Sequence, residues 1–142
     1  MAVTVRGAAL EGVDARVVEV EVDLLRRLPS ISIVGLAASA VRESSERVRS
    51  AIEACGVDFP RKRVVINLAP ADLRKEGTAL DLPTALGILA AEGVVPPERL
   101  TGVLAAGELS LGGQVRGIRG SLSMALLARE LGYTLVLSLI HI

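Results

Sequence analysis

The sequence predicts one α/β domain of the α+β kind, a mixed β-sheet carrying about three helices. Three observations lead there. Apolar and polar residues alternate with period two up to Leu36, and from Ala38 to Cys55 the period becomes helical. Beyond that point strand-like and helix-like stretches take turns, giving the order strands, helix, strand, helix, strands, helix, strand. The 142 residues fit a single domain, and a 51% apolar content supplies ample core.

The elements follow in order. "AVTVRGAAL" and "ARVVEVEVD", separated by the turn-like "EGVD", read as a β-hairpin with Val18, Val20 and Val22 on one face and Glu19, Glu21 and Asp23 on the other. "SISIVGL", after Pro29, reads as a third strand completing an antiparallel meander. In the first helix Val41, Ser45, Val48 and Ile52 form the apolar stripe, with Arg42, Glu43, Glu46, Arg47 and Arg49 opposite. Glu43 and Arg47 make an i,i+4 pair there, and Gly56 suits the position past the helix end. "RVVINLAPA" is a compact apolar run expected to be a buried strand. A second helix begins near Asp81, which is placed to cap it, with Pro83 tolerated in the first turn. Leu82, Leu86 and Leu89 or Ala90 give its buried stripe. "VLAAGELSL" and "QVR" read as another hairpin across "GG". "SLSMALLARELG" is the third helix, with Leu122, Ala125, Leu126 and Arg129 at helical spacing, and "YTLVL" begins a last strand.

Composition narrows the function. Sixteen basic residues balance sixteen acidic ones, which argues against a dedicated nucleic-acid module while allowing a local basic patch. The only aromatics are Phe59 and Tyr133, so platforms for stacked bases are nearly absent. Cys55 allows no disulfide within the chain and reads as a packing residue; a cytoplasmic location is the simplest expectation. No stretch approaches the ~18 consecutive apolar residues of a membrane span, and the start lacks the plan of a signal peptide.

No phosphate-cradling Gly-x-x-x-x-Gly-Lys-Ser/Thr stretch and no Cys/His metal set occurs in the sequence, so no cofactor is expected on this chain. "PRKR" places Arg61, Lys62 and Arg63 before the buried strand, and Arg74 and Lys75 follow it. These five are candidate DNA contacts converging at one rim; the competing reading is solvated strand ends that discourage edge pairing.

Three stretches carry a family resemblance: "SIVGLAASAVRESSERVRSAI", "RVVINLAPADLRKEGTALDLPTALGILAA" and "GELSLGGQVRGIRGSLSMALLARELG". Together they resemble the N-terminal domain of the YifB/ComM family of bacterial magnesium-chelatase-like (ChlI-like) AAA+ ATPases. The resemblance covers residues 1–136. The tail "LSLIHI", 137–142, matches the translation of an adapter sequence used in DNA library preparation and reads as non-native; the alternative is a native strand.

That family's domain is similar to the Lon proteolytic domain, which implies a ribosomal-protein-like βαβ fold with a left-handed crossover. A Lon-type site needs a serine in a Gly-x-Ser-x-Gly loop and a lysine as base in the later helix. In "GTALD" the glycine is Gly77 and the serine position falls on Ala79; the lysine position falls on or next to Leu122. A methyl group cannot attack a carbonyl and an isobutyl group cannot accept a proton. Ala79 and Leu122 are expected to face each other across a small apolar gap. Thr78, Ser121 and Ser123 are neighbouring hydroxyls, but Lys75, in a polar loop, is expected to stay protonated.

The resemblance thus implies a non-enzymatic accessory domain of a truncated AAA+ ATPase. ATP and Mg²⁺ would bind in a downstream domain of a homo-hexamer, with DNA handled by the ring in branch migration during natural transformation. The alternatives are a Lon-like Ser/Lys ATP-dependent peptidase domain and an independent RNA- or ribosome-binding module.

Overall fold

The hairpin forms as the alternation requires. In a computed structural model, which describes residues 2–75 and 78–137, it consists of β1 (Val3–Glu11) and β2 (Asp14–Leu25), paired from Val3↔Val22 to Glu11↔Asp14. Then come β3 (Ser30–Val34), α1 (Ala38–Ala54), β4 (Arg63–Ala69) and α2 (Asp81–Ala91). A 3-10 turn at Pro97–Leu100 leads to β5 (Val103–Ala105), β6 (Glu108–Leu109), β7 (Val115–Arg116), α3 (Ser121–Leu131) and β8 (Thr134–Val136).

The main sheet has the order β3-β4-β2-β1-β5-β8, so β3 does not complete a meander. Instead β4 inserts between β2 and β3, antiparallel to the first and parallel to the second. The apolar content of β4 explains this. Val64, Ile66 and Leu68 are buried and pair with Leu24, Val22 and Val20, which a strand can do only in the sheet interior. The segment read as "VLAAGELSL" is also split: β5 joins the main sheet, whereas β6 leaves it to pair with β7 in a separate two-stranded ribbon.

The helices lie on both faces. Val48, Ala51 and Ile52 of α1 and Ala85 and Ile88 of α2 pack on the face of Val18, Val20, Val22, Ile66 and Leu68. Met124 and Ala128 of α3 pack with Ala8 and Leu104 on the other. Strands β3, β4, β1, β5 and β8 all run one way, and only β2 opposes them. The crossovers β3–α1–β4 and β5–α3–β8 step in the same direction across the sheet, but their helices lie on opposite faces. They therefore have opposite hands, and one is left-handed, a connection seen in roughly one case in fifty.

Two helices bury faces other than those expected. In α2, Asp81, Pro83, Thr84, Ala85, Gly87, Ile88 and Ala90 are buried, while Leu82, Leu86 and Leu89 are only partly so. Small residues let α2 approach the sheet: a Cβ on Gly87 would stand 2.6 Å from Val22 Cγ2. In α3 the buried residues are Met124 and Ala128, while Leu122 is 75% and Leu126 45% exposed. Cys55, at the end of α1, is exposed rather than packed.

Gly87→Ala forces a methyl into a fully buried valine and should lower stability by about 1–3 kcal/mol, read as a shift in the urea midpoint at unchanged m.

Candidate functional site

The entrance of α2 is held by a carboxylate. Asp81, 2% exposed, accepts hydrogen bonds from Ser44 Oγ (3.0 Å), Arg47 Nε (2.6 Å), Arg47 Nη2 (3.2 Å) and the Leu109 amide (3.2 Å). It is therefore not the helix cap expected of it; the N-cap is Leu80, with no side-chain cap bond. The hydrogen bond to Asp81 is the main cause raising the Arg47 pKa above its ordinary value; burial opposes it, and the charges of Asp81, Glu108 and Glu43 add to it. Arg47 thus turns inward to Asp81 rather than lying on the solvent face beside Glu43. The spacing held a signal for this: Ser44, Arg47, Val48 and Ala51 lie at i, i+3, i+4, i+7 on the buried face of α1.

Two backbone bonds complete the brace. Gly107 N donates to Ala79 O (2.9 Å), and Leu82 N donates to Gly107 O (3.1 Å), tying the α2 entrance to the β5–β6 junction.

Beside this brace opens a cavity of about 520 Å³. Thr78, Ala79 and Glu108 line one side, Ala9, Leu10 and Gly12 of the hairpin another, and Gly117, Ile118, Arg119 and Met124 a third. Ala79 is buried and stands at the N-terminal entrance of α2. Gly77, the glycine of the "GTALD" motif, lies outside the described residues.

Leu122 is not among the lining residues. Ser123 Oγ donates to Val13 O (2.6 Å), and Gly120, with φ +87°, lies against Leu10. These contacts set the phase of α3 so that Met124 and Ala128 face inward. A residue two positions before Met124 then lies about 200° around the helix, in solvent. Ala79 therefore meets Met124, with which it shares a core cluster, rather than Leu122.

Among the described residues, the groups lining the cavity that could do proton chemistry are a hydroxyl (Thr78), a carboxylate (Glu108) and a guanidinium (Arg119), with no lysine. Lys75 is 9% exposed rather than in an open polar loop, and its Nζ donates to Leu73 O (2.9 Å). It lines a different cavity, of about 580 Å³, with Gly35, Ala37, Ala40 and Arg74. Ser121 Oγ donates to Ile118 O (3.2 Å).

The five basic candidates do not share a rim. Arg61, Lys62 and Arg63 precede β4 or begin it, and Arg74 and Lys75 follow its other end. Six residue steps at ~3.3 Å separate those ends by about 20 Å. Lys62 pairs with Glu92 (3.7 Å), and Arg63 Nε is buried without a hydrogen-bond partner.

Residues 20–139 match the profile of the family described as subunit ChlI of Mg-chelatase. The chain belongs to the magnesium-chelatase-like ChlI family. Among its relatives, YifB of Escherichia coli is 42% identical over 127 residues, 89% of this chain. Competence protein ComM of Haemophilus influenzae is 43% identical over 119 residues, 84% of this chain. An uncharacterised protein of Mycobacterium tuberculosis is 41% identical over 128 residues, 90% of this chain. The chain spans about a quarter of the length of these relatives: 25%, 23% and 25% respectively. Among the described residues of this ChlI-family chain, no helix is long and apolar enough to cross a membrane.

Asp81→Ala should lower stability by about 3 kcal/mol or more, because it strands the Arg47 charge and the Leu109 amide. Arg47→Met should be destabilising to a similar or greater degree, because it leaves the 2%-exposed Asp81 carboxylate without its counter-charge. Urea denaturation of both variants checks the two losses. Because the Arg47 pKa is raised on folding, its contribution is fully present at neutral pH and is lost only in strong alkali, as pH rises through the raised value.

Proposed function

We propose that this chain is a non-catalytic accessory domain of a longer magnesium-chelatase-like protein, supporting ring assembly or the handling of DNA. The observation that carries the reading is the cavity at the α2 and α3 entrances. Ala79 lines it where the serine would be needed for acyl transfer, while Leu122, at the lysine position, does not line it and is 75% exposed. In this reading the shell of a site persists without its nucleophile and its base.

ATP and Mg²⁺ belong, in this reading, to a part of the longer protein outside this chain, and a homo-hexameric ring would form through that part. ComM is named as a competence protein, which suits a role in taking up or processing DNA. YifB carries no activity in its name and adds only kinship.

A peptidase reading has one observation in its favour, the Thr78 hydroxyl lining the cavity. The placement of the two lysines weighs against it. Lys75 is held by Leu73 O beside a different cavity, and Lys62 lies beyond the other end of β4, paired with Glu92. Glu108 is the remaining acceptor, and it shares the cavity wall with the cationic Arg119.

Three measurements test the proposal. Titration of the chain with Mg-ATP should give no heat of binding, because no loop of amides with a lysine cradles the phosphates; a micromolar site would overturn it. Neither the chain nor Ala79→Ser should cleave unfolded casein, since the serine would still lack a base. Removing residues 1–136 from the longer protein should leave ATP hydrolysis in place and weaken assembly or DNA binding.

A further inference from the structure

The connection between β2 and β3 is four residues long, Arg26–Arg27–Leu28–Pro29, and it makes an unusual journey. β4 lies between β2 and β3 in the sheet, so this connection must arch over the N-terminal end of β4. The register fixes where. Arg63, the first residue of β4, pairs with Leu25 at the end of β2 and with Ser30 at the start of β3. Arg61 and Lys62 enter the sheet directly beneath the arch. Strand neighbours stand ~4.8 Å apart, so the backbones carrying Arg26, Arg27 and Arg61 lie within about 10 Å of one another.

Arg26, Arg27 and Arg61 are exposed. The Arg27 amide donates to Leu25 O (2.8 Å), but among the described residues no side-chain hydrogen bond or ion pair engages the three guanidinium groups. They therefore do not act as caps for the C-termini of α1 and α2, which point to this end of the molecule. Glu92, at the C-terminal end of α2, is already held by Lys62 (3.7 Å).

We propose that Arg26, Arg27 and Arg61 form a docking rim for the phosphate backbone of a nucleic acid. This rests on the DNA-handling reading above and deepens it, replacing Arg74 and Lys75 as the partners of Arg61. Arginine is suited to the task because its planar fork donates two parallel hydrogen bonds to phosphate oxygens. Three such groups within about 10 Å match two or three successive phosphates of one strand, at a 3.4 Å rise each. Contact is with phosphates alone. The two aromatic residues are both engaged within the chain, Phe59 under Arg49 and Tyr133 under Arg6, leaving no ring to stack or read a base. An anionic lipid surface shares the phosphate chemistry, and Leu28, 87% exposed in the same arch, faces it too. One leucine is a small anchor for a bilayer, which favours the nucleic acid.

The test uses the 142-residue chain. Its binding to fluorescent single-stranded and duplex DNA is followed by anisotropy over a range of salt, and vesicles of phosphatidylserine are assayed alongside. The chain should bind DNA weakly, with Kd on the order of 10⁻⁴ to 10⁻⁶ M and a steep salt dependence. R26A/R27A/R61A should lose roughly tenfold or more in affinity, and its salt slope should become shallower by about 2–3. R26K/R27K/R61K, which keeps the charges, should retain most of the slope. Arg74→Ala, at the far end of β4, should bind as the unsubstituted chain does. The two triple variants should melt close to the unsubstituted chain, since no side-chain hydrogen bond or ion pair among the described residues holds the three arginines. If the chain binds DNA and the triple alanine variant binds it equally, the rim is wrong while the DNA-handling reading survives. If the chain binds neither form of DNA, both fail. Binding to vesicles but not to DNA makes lipid the occupant and overturns the proposal.

Discussion

A single buried carboxylate organises the working end of this domain. Asp81 accepts four hydrogen bonds, from two side chains of α1 and from the backbone of β6. An unpaired buried carboxylate is costly, and Arg47, with two hydrogen bonds, together with the Ser44 hydroxyl and the Leu109 amide makes this one tolerable. Satisfying it fixes three elements at once. The pitch of α1 is set because Ser44 and Arg47 must both reach Asp81. The start of α2 is set because Asp81 is its first residue. The place where β6 leaves the main sheet is set by the Leu109 amide. The cavity beside Ala79 inherits its shape from this arrangement, although no atom of Asp81 needs to enter it.

The sheet imposes the second constraint. β4 is apolar on the face that meets α1 and α2, and it finds neighbours only between β2 and β3. That insertion has two consequences. It converts β3 from a meander strand into a parallel edge strand, joined to β4 through α1. It also drives the β2–β3 connection over the end of β4, gathering Arg26 and Arg27 beside Arg61. On the other side of the sheet, α3 returns the chain from β5 to β8 across the opposite face, and the two crossovers must differ in hand. The left-handed connection implied by the Lon-like resemblance thus has a place in this topology, as a consequence of which faces α1 and α3 cover.

The cavity at the α2 and α3 entrances owes its shape to interactions that lie outside its lining. Its walls come from four separate parts of the chain, which the brace around Asp81 and the Ser123–Val13 contact hold in place. Those interactions serve stability whatever the lining residues are.

Much of the fold was legible in the sequence. The hairpin, the three helices, the apolar fourth strand and the single-domain size follow from local periodicity and turn chemistry, which act over a few residues and need no tertiary context. The family also follows from local motifs, since "LAPADLRKEGTALDLPTALG" is distinctive as a string. Pairing partners did not follow. The alternation that identifies β3 as a strand is the same whether it pairs with β2 or with β4. Helix phase failed where stripes competed: Leu122 and Leu126 are as apolar as Met124, and only the contacts of Gly120 and Ser123 with the hairpin decide which face turns inward. Charge placement failed for a related reason. Arg61 and Arg74 are close in sequence but lie beyond opposite ends of one strand, whereas Arg27 and Arg61, far apart in sequence, are brought together by strand register. Local sequence determines what each segment can become. Which residues share a surface depends on long-range pairing, where the burial of β4 and of Asp81 outweighs every local preference.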